Sequence, residues 1–201
     1  SGSGKSTLLH LLGCLDVPSS GNIYIDDQRV NNMSDKKLSE LRNRTIGFVF
    51  QSYNLVPYLS GRENIAISDT LAGRRSDQRR LEEVLSRLRL ESRTNSLTST
   101  LSGGEQQRVA LGRILYRRPA IVFADEPTGA LDTRSASVVL YELRRLADEG
   151  ATVVLVTHDL NAASLADSVM ILRDGHIISR LDSGISSEIL LSIMNNAVEG
   201  E

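Results

Sequence analysis

The sequence predicts an α/β fold with a mainly parallel sheet and a small helical subdomain, and three observations carry this prediction. Two apolar, β-branched runs, AIVFAD at 120–125 and TVVLVT at 152–157, flank the helical stretch RSASVVLYELRRLADEG. This alternation is the pattern of parallel strands joined by a crossover helix. A glycine-rich loop runs directly into a helix at the start of the chain. Residues 60–90 then change to a helical pattern rich in arginine and glutamate, which predicts the subdomain.

Composition limits the classes of protein that the chain can belong to. With 40% hydrophobic and 24% charged residues, the chain is ordinarily globular, and a net charge of -2 gives no reason to expect nucleic acid as a partner. The single Cys14 excludes an internal disulfide, fits a reducing compartment and is expected to be buried. The apolar runs are far shorter than the roughly 20 residues that a membrane-spanning helix needs.

The first 51 residues predict two helices and two strands. A helix is expected from Lys5 to Leu15, because leucines recur at the spacing of one buried face, at Leu8, Leu11, Leu12 and Leu15. A short strand NIYID, a polar helix DKKLSELRNR and a buried strand TIGFVF follow, and the last strand ends at Gln51.

The later residues predict the domain boundaries. Ser60 and Glu63 form a capping box, and the following helix has its apolar stripe at Leu81, Val84, Leu85 and Leu88. SVMILRDGHIIS predicts a hairpin on Asp174-Gly175, and SSEILLSIM a short amphipathic helix. We therefore expect a first core segment at 1–51, a helical subdomain at 52–118 and a second core segment at 119–201.

The opening residues SGSGKST resemble the second half of a phosphate-binding loop. Small residues at Ser1, Gly2, Ser3 and Gly4 allow backbone N–H groups to close on phosphate oxygens, and the following helix N-terminus adds partial positive charge. Lys5 would meet the β and γ phosphates, Ser6 would supply a hydroxyl to Mg²⁺, and Thr7 continues the motif. The alternative is a glycine-rich turn in front of a helix, so the remaining residues must decide.

Polar residues follow three predicted strands where those strands end. Asp125 is the last residue of IVFAD and Glu126 follows it. Gln51 follows FVF, and His158 follows TVVLVT. Ligands of open α/β sheets bind at this edge. There Asp125 and Gln51 suit Mg²⁺, and Glu126 suits the base that polarises an attacking water. Each residue also has a plainer explanation, because carboxylates are common where a strand meets solvent, glutamine is common in loops, and a lone histidine is more often structural.

The run LSGGEQQ at 101–107 is the most specific motif in the chain. Ser102 and Glu105 predict a second capping box. This leaves the adjacent Gly103 and Gly104 unexplained, because two glycines at a helix start lose backbone entropy unless an anion or a close-packed backbone uses them.

Together, SGSGKST, Gln51, LSGGEQQ, IVFADEP, GALD and His158 resemble the nucleotide-binding domain of ATP-binding cassette (ABC) proteins over nearly the whole chain. The resemblance implies a P-loop NTPase with a mixed, mainly parallel core sheet and a small α-helical subdomain. It implies ATP and Mg²⁺ as cofactors, with Ser6, Gln51 and Asp125 at the metal and Glu126, His158 and Lys5 in catalysis. The chain begins within the motif, so the leading glycine, the first strand and an adenine-stacking aromatic are expected upstream, and residues 1–201 alone are expected to bind ATP weakly.

The same resemblance implies a head-to-tail dimer of two copies of the domain. ATP would lie between the loop at Lys5 of one copy and the Leu101–Glu105 motif of the other, with Asp132 of GALD coupling the two sites. The segments LLGCLDVPSSG, FVFQSYNLVPYLSGRENI and ADEPTGALDT are similar to the subfamily that serves lipoprotein release, macrolide-type export and cell division.

The expected function is an ATPase subunit that drives a transmembrane permease subunit, or a fused transmembrane segment, at the cytoplasmic face of the membrane. The docking surface would be SYNLVPYL at 52–59, although these residues could instead fill the subdomain's own core. One alternative is a soluble cassette of DNA repair or translation, but no sustained heptads separate the phosphate loop from LSGG. Another is a division-type cassette that signals without transport.

Overall fold

The computed structural model describes residues 2–182 and 185–199. In chain order its helices and strands are α1 Lys5–Leu12, β1 Tyr24–Ile25, β2 Gln28–Arg29, α2 Asp35–Thr45, β3 Ile46–Phe50, α3 Gly61–Ile65, α4 Ile67–Leu71, α5 Gln78–Arg87, α6 Gly103–Arg117, β4 Ile121–Asp125, α7 Thr133–Asp148, β5 Thr152–Val156, α8 Leu160–Ala163, β6 Val169–Arg173, β7 His176–Leu181 and α9 Ser187–Glu199. Short 3₁₀ turns occupy Glu91–Arg93 and Thr98–Thr100.

The chain forms two compact units. The first comprises Ser1–Arg44 with Val154–Glu201, and the second comprises Thr45–Val153. The division into 1–51, 52–118 and 119–201 stays a prediction.

The second unit is built on parallel strands with a helical layer. β3 pairs with β4 in parallel, in register from Ile46 opposite Ile121 to Phe50 opposite Asp125. The strand order is β3-β4-β5. Thr152, in the part of β5 that belongs to this unit, donates its N–H to the Ala120 carbonyl at 2.8 Å. Helix α7 connects β4 to β5. The predicted α/β class with a parallel sheet is confirmed.

The helices of the second unit bury the predicted apolar stripe. Leu81, Leu85 and Leu88 of this stripe are almost fully buried, and the capping box of Ser60 and Glu63 begins α3 as predicted. Helix α6 approaches α3 closely at Gly112, where a Cβ atom would lie 2.8 Å from Ile65 Cδ1. A larger side chain at Gly112 would therefore force these two helices apart.

The first unit departs from the sequence prediction at its first helix. Helix α1 ends at Leu12, so Leu15 lies beyond the helix and cannot belong to its apolar face. Leu9 is the buried residue of α1, whereas Leu8 is 39% exposed. The predicted stripe is therefore wrong, because a helix of just over two turns ends before the fourth position of the pattern is reached.

Three other predictions for the first unit are confirmed, and one strand differs in length. Cys14 is buried, and burial raises the pKa of its thiol. The hairpin on Asp174-Gly175 joins β6 to β7, and the predicted tail helix is α9. The strand NIYID is shorter than expected, because only Tyr24 and Ile25 pair, with β2.

Candidate nucleotide-binding site

The predicted phosphate loop lies in the first unit, at the start of α1. Gly2 and Gly4 have φ angles of 92° and 89°, which glycine adopts readily and other residues do not. Gly4 is the N-cap of α1 and has no side chain to accept hydrogen bonds from the first turn. The Lys5 ammonium donates to the Ser3 hydroxyl at 2.8 Å. Backbone N–H groups, a helix N-terminus and a cation thus meet in one loop, which is the donor set that a phosphate requires.

The β6–β7 hairpin contacts this loop from within the same unit. The Gly175 N–H donates to the Ser3 carbonyl at 3.1 Å, and a Cβ on Gly4 would lie 3.8 Å from Gly175 Cα. Ser6 and Thr7 are exposed at the first turn of α1. Also in this unit, His158 is exposed and follows β5 by two residues. Ser1 lies outside the described residues.

Three predicted site residues come together in the second unit, at the carboxyl ends of β3 and β4. Phe50 and Asp125 are register partners, so Gln51 and Glu126 are the next residues of two adjacent strands. A Cβ on Gly129 would lie 3.1 Å from the Gln51 amide nitrogen, and the Gly129 N–H donates to the Glu126 carbonyl at 3.1 Å. The turn after β4 therefore folds back against Gln51. This confines a carboxamide and two carboxylates to one edge of the sheet.

The backbone at Glu126 is strained. Its φ angle is 45°, in the left-handed region that costs a residue with a Cβ on the order of 1 kcal/mol. Both Asp125 and Glu126 are half-buried. Strain of this kind persists only where neighbouring contacts hold the backbone.

The LSGG motif begins α6 with the predicted capping box. The Ser102 N–H donates to the Glu105 carboxylate at 2.8 Å, and the Glu105 N–H donates to the Ser102 hydroxyl at 3.3 Å. The backbone hydrogen bond from Ser102, opposed by partial burial, holds the pKa of Glu105 below its usual value. Leu101 is buried beside this cap. Glu105 is thus an anion that caps its own helix.

Both glycines of LSGG pack closely against other side chains. A Cβ on Gly103 would lie 2.8 Å from the Tyr53 hydroxyl oxygen. A Cβ on Gly104 would collide with Ser135, 2.9 Å from its Cβ and closer to its hydroxyl. A larger residue at Gly104 would have to displace Ser135, whereas at Gly103 the tip of the Tyr53 side chain would have to move. Close packing therefore accounts for Gly104 and favours a small residue at Gly103.

Asp132 caps the N-terminus of α7. Its carboxylate accepts from the N–H groups of Arg134 and Ser135, both at 3.0 Å. Hydrogen bonding from Ser135, first by its side chain and then by its backbone, lowers the pKa of Asp132. Ser135 contacts Gly104 as well, and so links the GALD turn to the LSGG motif. Sequence reasoning missed Ser135, because a serine in the first turn of a helix gives no sign of a contact distant along the chain.

The residues predicted for Mg²⁺ have the chemistry of a magnesium site. A hydroxyl, an amide oxygen and a carboxylate oxygen are hard ligands, which Mg²⁺ prefers. No cluster of three or more His, Cys, Asp or Glu side chains that could hold a metal occurs in the described ranges. Ser6 belongs to the first unit, and Gln51 and Asp125 belong to the second.

Comparison with known proteins identifies the family. Residues 1–129 match the family model described as ABC transporter. The chain belongs to this family, as an ATP-binding domain of the ATPase type. The predicted family, fold class and enzyme type are confirmed.

The relatives include transporters and solved cassettes. The chain is 46% identical over 180 residues to the macrolide export ATP-binding/permease protein MacB of Mannheimia succiniciproducens, covering 89% of this chain and 28% of that protein. It is 46% identical over 179 residues to an uncharacterized ABC transporter ATP-binding protein of Thermotoga maritima, covering 88% of this chain and 76% of that one. The dimeric, post-hydrolysis structure of the cassette MJ0796 of Methanocaldococcus jannaschii, bound to ADP and Pi, superimposes with a TM-score of 0.82 and 39% identity, covering 90% of this chain and 81% of that chain. The chain thus spans about a quarter of the length of the macrolide export relative.

Proposed function

We propose that this chain is the ATP-binding and hydrolysing part of an ABC transporter that drives a membrane partner, for export or lipoprotein release. The observation that carries the proposal is the juxtaposition of Gln51, Asp125 and Glu126 on the register-paired ends of β3 and β4. The similarity to macrolide export proteins favours export. In the part of the chain that the structure describes, no helix combines the length and the apolar character needed to cross a bilayer.

Each residue has a distinct role in this proposal. The loop from Ser1 to Thr7 binds the phosphates, and Lys5 neutralises their charge. Glu126 orients the attacking water and accepts its proton, while His158 contacts the γ-phosphate. Ser6, Gln51 and Asp125 would hold Mg²⁺, which would neutralise charge on the phosphates.

A second copy of the domain completes the site in this proposal. Two solved structures of one cassette similar to this chain, MJ0796, are described as dimeric. The N-terminus of α6, at Leu101 to Glu105, carries partial positive charge suited to a γ-phosphate held by the other copy. Asp132 lies beside this motif through Ser135 and would couple the two sites. We place the assembly at the cytoplasmic face of the membrane, as a peripheral subunit.

Replacing Lys5 by alanine tests the nucleotide site. We expect ATP affinity to fall about 10- to 100-fold, because a hydrogen bond to a charged group contributes roughly 1.5–3 kcal/mol. Calorimetric titration of the full-length protein with ATP measures the change. Lys36→Ala, an exposed lysine on α2 in the same unit, is the matched control and should bind ATP normally. Unchanged affinity in Lys5→Ala would contradict the assignment of the loop.

Replacing Tyr58 by alanine tests the membrane partner. Tyr58 is 86% exposed within the stretch 52–59, and exposed aromatics are common anchors of interfaces, where truncation costs about 2 kcal/mol or more. Transport by the assembled protein should fall at least tenfold, while ATP hydrolysis by the isolated domain changes less than about twofold. Tyr141→Ala, at an exposed tyrosine of α7, is the control. Equal transport in the two variants would place the docking surface elsewhere.

A further inference from the structure

Gln107, in the second turn of α6, is fully buried and bonds outside its helix. Its amide nitrogen donates to the Pro127 carbonyl at 2.6 Å. Its amide oxygen is buried and has no hydrogen-bond partner among the described residues. A leucine would fill a similar volume without burying an unpaired oxygen, so packing alone gives no reason for glutamine at this position.

Pro127 is the residue directly after Glu126, in the turn that carries the strained backbone. Two hydrogen bonds within the turn support it, from Gly129 N–H to Glu126 and from Leu131 N–H to Thr128. The Gln107 bond differs from these because it comes from α6, the helix that begins at LSGG. It connects the Glu126 turn to the second turn of α6, and both lie in the same compact unit.

We infer that Gln107 is a positioning residue for ATP hydrolysis, which holds the Glu126 turn against α6. The inference rests on the proposed role of Glu126 as the base. A general base must lie within hydrogen-bond reach of the water that it deprotonates, and a shift on the order of 1 Å can lower the rate by about 100-fold. The Gln107 side chain acts on the backbone of the turn and does not itself meet the nucleotide.

The test is a double-mutant cycle of Gln107→Leu and Glu126→Gln in the full-length protein. We expect Gln107→Leu to lower kcat about tenfold and to change the KM for ATP less than about twofold, because the residue orients the base without binding substrate. In the Glu126→Gln background, Gln107→Leu should lower kcat little further, because the base that Gln107 positions is already absent. If Gln107→Leu only damaged the fold, it would lower kcat by the same factor in both backgrounds. That result would overturn the inference.

A second readout is independent of activity and of nucleotide. Amide hydrogen exchange at Gly129 and Leu131 should accelerate in nucleotide-free Gln107→Leu, because the turn loses its bond to α6. Gln78→Leu, at an exposed glutamine of α5, is the control and should leave exchange and turnover unchanged. Unaltered exchange in Gln107→Leu would contradict the inference.

A further variant covers the case in which Gln107→Leu does not fold. Gln107→Glu keeps the length of the side chain, but when ionised it has no donor for the Pro127 carbonyl. Protonation restores an O–H donor, and burial raises the pKa of such a carboxyl. Its turnover deficit should therefore shrink as pH falls, and a deficit independent of pH would overturn the inference.

The two proposals fail in different ways. Normal turnover in Glu126→Gln would defeat the base assignment, and the inference with it. An inactive Glu126→Gln together with a fully active Gln107→Leu would defeat the inference alone.

Discussion

Replacing Glu126 by glutamine should slow ATP hydrolysis by about 100-fold or more, in the range for losing a positioned proton acceptor, while ATP binding is retained. Glutamine keeps the shape of the side chain and its hydrogen bonding to water, but it cannot accept the proton. Glu126 follows β4 directly, beside the adjacent strand end at Gln51. Steady-state phosphate release and ATP titration of the full-length protein measure the two effects separately.

The control for this prediction is Glu83→Gln. Glu83 is exposed on α5 and pairs with Arg79 one helical turn away, so the same chemical change there should leave hydrolysis normal. The Glu126→Gln protein should also dimerise when ATP is added, because nucleotide is bound and not consumed. Turnover close to normal would remove Glu126 from the role of base. Hydrolysis lost together with ATP binding would indicate damage to the fold.

Replacing Asn64 by alanine should lower the free energy of unfolding by about 3 kcal/mol, because several buried polar groups lose their partners. Asn64 is fully buried in α3. Its amide nitrogen donates to the carbonyls of Val56, Leu59 and Ser60 at 3.0–3.2 Å. Its amide oxygen accepts from the Val56 N–H at 2.9 Å and from the Arg113 guanidinium at 2.5 Å. The Asn64 side chain thus connects the stretch 52–59 to α3 and α6 by hydrogen bonds.

Thermal unfolding measures this effect, and the midpoint should fall by about 6–12 °C. Asn32→Ala, at an exposed asparagine, is the control. Asn64→Asp should also destabilise the fold, since its carboxylate would face three carbonyl oxygens. Stabilisation by Asn64→Asp would instead mean that pairing with Arg113 dominates and that the bonds to the loop contribute little.

Local signals were sufficient for much of this fold. The capping boxes at Ser60 and Ser102 each depend on two residues three positions apart. The sequence alone therefore identifies the starts of α3 and α6. The strands IGFVF and IVFAD are apolar enough to be recognised. The predicted strand ends do lie side by side, because Phe50 and Asp125 are register partners in parallel strands.

Contacts between distant residues account for what the sequence could not indicate. Asn64 looks like an ordinary polar residue after a cap, and Gln107 looks like one of several polar residues on α6. Each residue bonds to a carbonyl group that the fold brings close to it. Asn64 donates to the Val56 carbonyl, and Gln107 donates to the Pro127 carbonyl. The leucine pattern of α1 failed for a related reason, because spacing gives the periodicity of a helix but not its length.

Two independent constraints act on the LSGG motif, in which Gly103 packs against Tyr53 and Gly104 packs against Ser135. One is the proposed contact with nucleotide, and the other is steric. The steric constraint at Gly104 would act in this chain even without hydrolysis. The glycines of LSGG therefore do not by themselves indicate hydrolysis, which the proposed function assigns to Glu126.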